Sequence, residues 1–176
     1  KIYHKNPFDH ISEEEFDKAV DNILESVEAK PTTAIFLEIK KLVASVRDAH
    51  SSFHFSTDGE SYPLTLTIIG GIPNIYIVNT TKEYSDLLYG RITKVGGVDI
   101  ALACEALREI TSYENESWLQ YKLEASVKDA FAMQVMGFAE EDGTLFLTAE
   151  TETGQVGKQV RPGPHQDSFK PGVIAQ

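Results

Sequence analysis

Y-P-L-T-L-T-I-I-G-G-I-P-N-I-Y-I-V, residues 62–78, decides the fold class. Leu64, Leu66 and Ile68 alternate with Thr65 and Thr67, the period of a half-buried strand. Gly70-Gly71 and Pro73-Asn74 break the run with turn chemistry. Ile75 to Val78 is a second β-rich run. The two runs are expected to pair as an antiparallel hairpin. Downstream, R-I-T-K-V at 91–95 reads as a strand, Gly96-Gly97 as a tight turn, and V-D-I at 98–100 as a short return. Between these, residues 84–90 suggest a short turn of helix stopped by Gly90.

Helical periodicity follows. Leu102, Ala106, Leu107 and Ile110 share one helical stripe. Asn115 is a cap candidate for a helix holding Trp118, Leu119 and Leu123, and a third short helix covers about 127–136. T-L-F-L-T-A-E-T at 144–151 returns to strand, with a last strand from Gly154 through Val160. From Pro162 the composition is that of a loop. Working back from residue 62, Thr57 to Glu60 read as a turn, and Phe53 and Phe55 alternate with polar neighbours as in a strand.

The N-terminal segment is helical. Ser12 and Glu15 have capping-box spacing, and Phe16, Val20, Ile23, Leu24 and Val27 form an apolar stripe. Acidic Glu13–Glu15 and Asp17 form a solvated face, the first turn being favoured by the helix dipole. Pro31 closes this element. A second helix from Thr32 or Thr33 carries Ile35, Phe36, Ile39, Leu42, Val43 and Val46. The two are expected to form a helical hairpin. The fold class is therefore α+β: a helical cap at 1–55, a small sheet with flanking helices at 56–160, and a tail or linker at 161–176.

Composition narrows the function classes. Of 176 residues, 41% are hydrophobic and 24% charged, which excludes wholesale disorder. No apolar run approaches the roughly 18 residues of a membrane helix. Sixteen basic residues against 27 acidic ones leave a net charge of −11. That field repels a phosphate backbone, so nucleic acid is not an expected partner. One cysteine, Cys104, permits no internal disulfide and reads as a small buried packing residue on its helix. The chain opens at Lys1 without a methionine, as a trimmed or processed product does.

Three stretches carry a family resemblance. L-V-A-S-V-R-D-A-H-S-S-F at 42–53 resembles the helix ending in Asp-x-His-Ser/Thr of the tail-specific, or C-terminal-processing, serine peptidases. L-L-Y-G-R-I-T-K-V-G-G-V-D-I at 87–100 is similar to their PDZ-like segment, and S-Y-E-N-E-S-W at 112–118 to their Glu-Asn-x-x-Trp stretch. The resemblance implies that residues 56–160 are PDZ-like. It implies a serine endopeptidase acting on protein or peptide substrates, and export to the periplasm or exterior. In that family the nucleophilic serine lies in a larger catalytic domain downstream. The chain is thus expected to be an N-terminal fragment, inactive alone, whose partner is that missing domain.

The resemblance makes His50 the candidate general base. An imidazole is the usual base for activating a serine hydroxyl near neutral pH. The tricorn-like branch supplies its catalytic histidine from a region N-terminal to the PDZ-like domain. The carboxyl-terminal protease branch uses a Ser-Lys dyad, and there His50 would cap a helix end. Asp48, His50 and Ser51 or Ser52 are too close in sequence to converge as a triad by themselves. PDZ-like domains add a peptide as an extra strand. The expected groove lies between the strand at 64–69 and the helix at 102–110, lined by Leu64, Leu66, Ile68 and Leu107. Pro63 stands where a carboxylate-binding loop would need a donor.

No metal or cofactor site is expected. His50 and His54 on a strand would stand ~13 Å apart, too far for one ion. The Gly-Gly pairs lack phosphate-loop context. Tyr113, Trp118 and Tyr121 are expected to pack in the core. The rival readings are a non-catalytic peptide-binding PDZ-like module or pseudoenzyme, and a plain interaction domain.

Overall fold

A computed structural model describes residues 7–53 and 59–164. The expected strand through Phe53–Phe55, the turn at 57–60 and the tail beyond 164 lie wholly or partly outside the described residues. The chain divides into two compact units: one within Lys1–Phe55 joined by Glu105–Leu123, the other within Ser56–Cys104 joined by Glu124–Gln176. The class is α+β, with helices and an antiparallel sheet. Among the described residues no helix is long and apolar enough to cross a membrane.

In the first unit, helix α1 spans Glu13–Ser26 and helix α2 spans Thr32–Ser45, and the two pack together as a hairpin. The capping box forms: the Glu15 N–H donates to Ser12 Oγ at 3.2 Å, and the Ser12 N–H donates to Glu15 Oε2 at 3.0 Å. Pro31 is the cap of α2, not the end of α1. The expected stripe of α1 is not sunk into a core. None of its residues is buried, and Leu24 is 65% exposed. In α2 only Phe36 and Ala44 are buried, and the Phe36 ring meets Phe53 with centroids 5.3 Å apart. Lys41 of α2 pairs with Glu109 at 2.8 Å, tying residues 105–123 to the hairpin.

The second unit is built on the hairpin read from residues 62–78. Strands β1 (Glu60–Ser61), β2 (Leu64–Ile68), β3 (Ile75–Thr80), β4 (Arg91–Val95) and β5 (Val98–Asp99) come first. Strands β6 (Leu145–Thr151), β7 (Gly154–Val160) and β8 (Gly163–Pro164) close the described chain. The main sheet has the order β2-β3-β4-β6-β7, with β5 folded back on β4. Neighbouring strands are antiparallel, β2 on β3 through Leu66↔Ile77 and Ile68↔Ile75. Their inward residues Leu64, Leu66, Ile75, Ile77, Ile92, Val95, Leu145 and Leu147 are buried. That burial is the alternation the sequence displays, made physical.

A 3-10 helix, Lys82–Leu87, replaces the expected short turn at 84–90. Tyr89, not Gly90, takes the left-handed conformation, at φ 62. Gly90 is small for a different reason: a Cβ there would lie 2.9 Å from Thr151 Cγ2 and 3.0 Å from Leu87 O. Gly96 begins the β4–β5 turn at φ 57, and a Cβ there would come within 2.1 Å of Phe138 O. Both turn geometry and close packing therefore demand glycine at 96.

Helix α3 (Ile100–Glu109) starts one residue after Asp99, whose carboxylate accepts the Ala101 N–H at 2.8 Å. That start sets the buried stripe as Ala103, Cys104 and Leu107, leaving Leu102 59% exposed against expectation. Asn115 caps helix α4 (Glu116–Lys128) by accepting the Trp118 N–H at 2.9 Å. Asp129 caps helix α5 (Ala130–Val135). The beginning of the expected tail is ordered: β8 pairs antiparallel with β1, Ser61 opposite Gly163.

Candidate functional site

The candidate site forms where α2 ends. Arg47, at φ 54, turns the chain out of the helix. Its N–H still donates to Ala44 O at 3.0 Å. Asp48 then gathers the next turn around its carboxylate. Oδ2 accepts the Ser51 hydroxyl at 2.5 Å, Oδ1 accepts the His50 N–H at 3.2 Å, and the Asp48 carbonyl accepts the Ser51 N–H at 3.1 Å. Ala49, between them, is buried and fixes the turn to the interior. The local rule is that a short carboxylate bonds backbone two residues on and shapes a turn.

His50 is held over this turn with its side chain 86% exposed, while that of Asp48 is 16% exposed. Nδ1 lies 3.7 Å from Asp48 Oδ1. That is ion-pair range, longer than a hydrogen bond. A carboxylate beside one ring nitrogen orients the ring. Ser51 bonds the carboxylate and not the ring, so the three neighbours do not form a triad, in which the base must stand between nucleophile and acid.

A third group joins the cluster. One ligand atom each from Asp48, His50 and Glu114 lie within 4.8 Å of one another. Glu114 immediately precedes the Asn115 cap of α4, so the cap of one helix and the end of another meet here. Sequence reading quotes Glu114 within residues 112–118 but assigns it no role. No local signal ties residue 114 to residue 50.

The other expected site residues sit elsewhere. Leu64 and Leu66 of β2 are buried, and so is Leu107 of α3; Ile68 is half-buried. Leu64, Leu66 and Ile68 belong to one unit and Leu107 to the other. The buried three are interior side chains. What β2 does offer is main chain, because it lies at one edge of the sheet. Part of that edge is taken, since the Ile68 N–H donates to Glu124 Oε1 at 2.7 Å; just before the strand, the Tyr62 N–H donates to Lys128 O at 2.9 Å. The expected burial of Trp118 and Tyr121 does not occur. They stack on the α4 surface with centroids 5.3 Å apart, 38% and 60% exposed, and Lys122 lies 5.7 Å over the Trp118 ring. Helical spacing brings the two rings together at i and i+3 on an outer face.

Among the described residues, two open clefts of the second unit stand out. One of about 360 Å³ is lined by Gly96, Phe138, Thr144 and Phe146 among others. The other, about 410 Å³, has Glu60, Glu141 and Asp142 at its rim. The Asp142 carboxyl is held below its ordinary range by the Thr144 backbone N–H it accepts at 2.9 Å and by a bond to the Thr144 side chain.

No family model and no curated protein matches this chain. Among solved structures it is similar to a crystal structure of mature CPAF, a protease, at a TM-score of 0.59 and 15% identity. The match covers 84% of this chain and 29% of that one, so this chain spans less than a third of its neighbour's length. At that identity the likeness concerns the fold alone.

Proposed function

We propose that this chain is the N-terminal and PDZ-like portion of a tail-specific-type serine endopeptidase, with His50 as general base to a serine outside the chain. The observation that carries the reading is the His50 turn. Its imidazole is presented to solvent with a carboxylate at Nδ1, and that carboxylate is itself fixed by Ser51 and the backbone. A base so arranged has its second nitrogen available to take a proton from an incoming hydroxyl. The likeness to a protease fold supports the same reading. Substrates in this proposal are proteins or peptides. Export is proposed on the sequence resemblance alone.

The test uses the longer protein carrying the downstream serine domain. Replacing His50 with alanine is expected to lower kcat on an unstructured protein substrate by at least ~10³-fold, the loss typical of removing a triad member. A variant that keeps full kcat would assign the chemistry to a Ser-Lys dyad and leave His50 a helix-end residue.

The second reading is a peptide-binding module without catalysis. It is favoured by the edge position of β2, where an extended peptide could add a strand. In that case peptides bind the chain, and a Glu124 substitution that frees the Ile68 N–H changes their affinity, while the His50 substitution does nothing.

A further inference from the structure

We propose that β7, at the edge of the main sheet opposite β2, is a self-pairing strand through which a second copy of this chain docks, antiparallel about Gly157. The sheet order pairs β7 on one side only, with β6. The register tells which of its backbone groups are spare. The Gly96 N–H donates to Phe146 O at 2.8 Å, so Phe146 directs its backbone groups toward β4. That direction alternates along a strand of an antiparallel sheet. Leu145, Leu147 and Ala149 therefore bond β7 through their opposites Val160, Lys158 and Val156. Gln155, Gly157 and Gln159 are left with N–H and C=O aimed away from the sheet. Arg161 is next in that phase, and its N–H goes outward to the Tyr84 hydroxyl oxygen at 3.2 Å. Among the described residues nothing bonds the outward backbone groups of Gln155, Gly157 and Gln159.

This edge lacks the usual guards, which are bulges, prolines, charged side chains or a covering segment. The β6–β7 register runs without a shift from Leu145↔Val160 to Thr151↔Gly154, and the strand holds no proline. Its one charged residue, Lys158, is paired with Asp86 at 2.8 Å. Strand β2, by contrast, has a register shift at Thr65/Leu66 and gives its Ile68 N–H to Glu124.

The free stretch selects a copy of itself. At one end lies the turn to β6, where the Thr151 hydroxyl donates to Gly154 O at 2.9 Å. At the other lies the Tyr84 bond to Arg161. Gly157 is the midpoint of the three outward residues. Antiparallel pairing about it sets Gln155 opposite the partner's Gln159 and Gly157 opposite the partner's Gly157, and each pair exchanges both backbone bonds. A shift to the next register in phase leaves outward groups unmatched. No like charges oppose each other, because Lys158 falls opposite the partner's Val156. Beyond each end, the turn bearing Glu152 comes beside the partner's Arg161, and both residues are exposed and of opposite charge. The outer face supplies apolar contact. Phe146 is 46% exposed and rests on Gly157, where a Cβ would lie 2.8 Å from its Cζ. The Cα atoms of a hydrogen-bonded pair stand about 5.5 Å apart, so the two rings meet over the two-fold axis. This pairing uses no residue of the His50 turn and stands apart from the peptidase reading.

The experiment follows the full 176-residue chain by sedimentation and amide hydrogen exchange, from about 10 μM to about 1 mM. One short strand pair makes a small interface, so association is expected to be weak and to grow across that range. The Gln155, Gly157 and Gln159 amides should slow severalfold as dimer accumulates. Those of Val156, Lys158 and Val160, already bonded to β6, should stay slow throughout, and those of Thr65 and Thr67 in β2 should not change. Gln159→Pro removes one outward N–H and leaves the β6 ladder intact; it should weaken the dimer about tenfold or more. Circular dichroism checks that this variant is folded, and if it is not, the exchange pattern of the parent chain decides alone. A chain that stays monomeric throughout overturns the proposal, as does a dimer that protects other amides instead. So does protection of Gln155, Gly157 and Gln159 that is the same at every concentration, or a folded Gln159→Pro chain that associates as the parent does. Those outcomes leave the peptidase reading intact, because its test is the His50 substitution in the longer protein.

Discussion

Tyr62 shows how one side chain can link stability to pH. Its ring is buried and its hydroxyl donates to Gly143 O at 2.7 Å. Burial, then the charges of Asp129 and Asp142, push its ionisation well above the ordinary value. The folded state therefore favours the neutral phenol. This contribution is fully present below the unfolded tyrosine value of about 10 and is lost as pH rises beyond it. Tyr62→Phe is expected to lose about 0.5–1.5 kcal/mol at neutral pH, the net worth of one hydrogen bond. It should also show a shallower fall in stability on the alkaline side than the parent. Urea unfolding at neutral pH and above pH ~10 checks both halves. His50 illustrates a different kind of residue. It contributes little to packing, and its interest lies in what its neighbours Asp48 and Glu114 place beside it.

Helix α1 depends on local forces. None of its residues is buried, so tertiary packing adds little and the cap matters in proportion. Ser12→Ala is expected to weaken α1 by about 1 kcal/mol. Hydrogen exchange should show this as lost protection in Glu13–Ser26, with the sheet amides unchanged. Glu15 adds a pH sign. Its bonds to the Ser12 side chain and backbone lower its ionisation below the ordinary 4.5. The capping contribution is thus present above about that pH and fades as pH falls through the lowered value. Strand β2 poses the opposite problem, an open edge. The Glu124 carboxylate occupies the Ile68 N–H, and the Lys128 carbonyl takes that of Tyr62 just before the strand, a way of blunting an edge against unwanted pairing.

For the chain as a whole, the peptidase reading carries a negative expectation. The described residues contain a base candidate but no serine hydroxyl bonded to it: Ser51 donates to Asp48 instead. The purified 176-residue chain is therefore expected to leave an unstructured protein uncut and to take up no serine-reactive probe. Cleavage together with probe labelling would show a nucleophile within this chain and sink the fragment reading.

Local order is written in local sequence. The β2–β3 hairpin, the Gly96-Gly97 turn, the Ser12 and Asn115 caps and the two N-terminal helices are all legible because each rests on residues a few positions apart. Alternation, turn chemistry and capping need no knowledge of the rest of the chain. Burial phase was less legible. Leu102, Trp118 and Tyr121 read as core and face outward, because which side of a helix is covered depends on what packs against it. The same holds for the strand order that sets Arg91 opposite Glu150, for β8 returning to β1, and for Glu105–Leu123 grouping with the N-terminal helices. His50 could be singled out from the Asp-x-His-Ser pattern alone. Only the tertiary structure set Glu114 beside it, because a contact between distant segments exists only once the chain between them has folded.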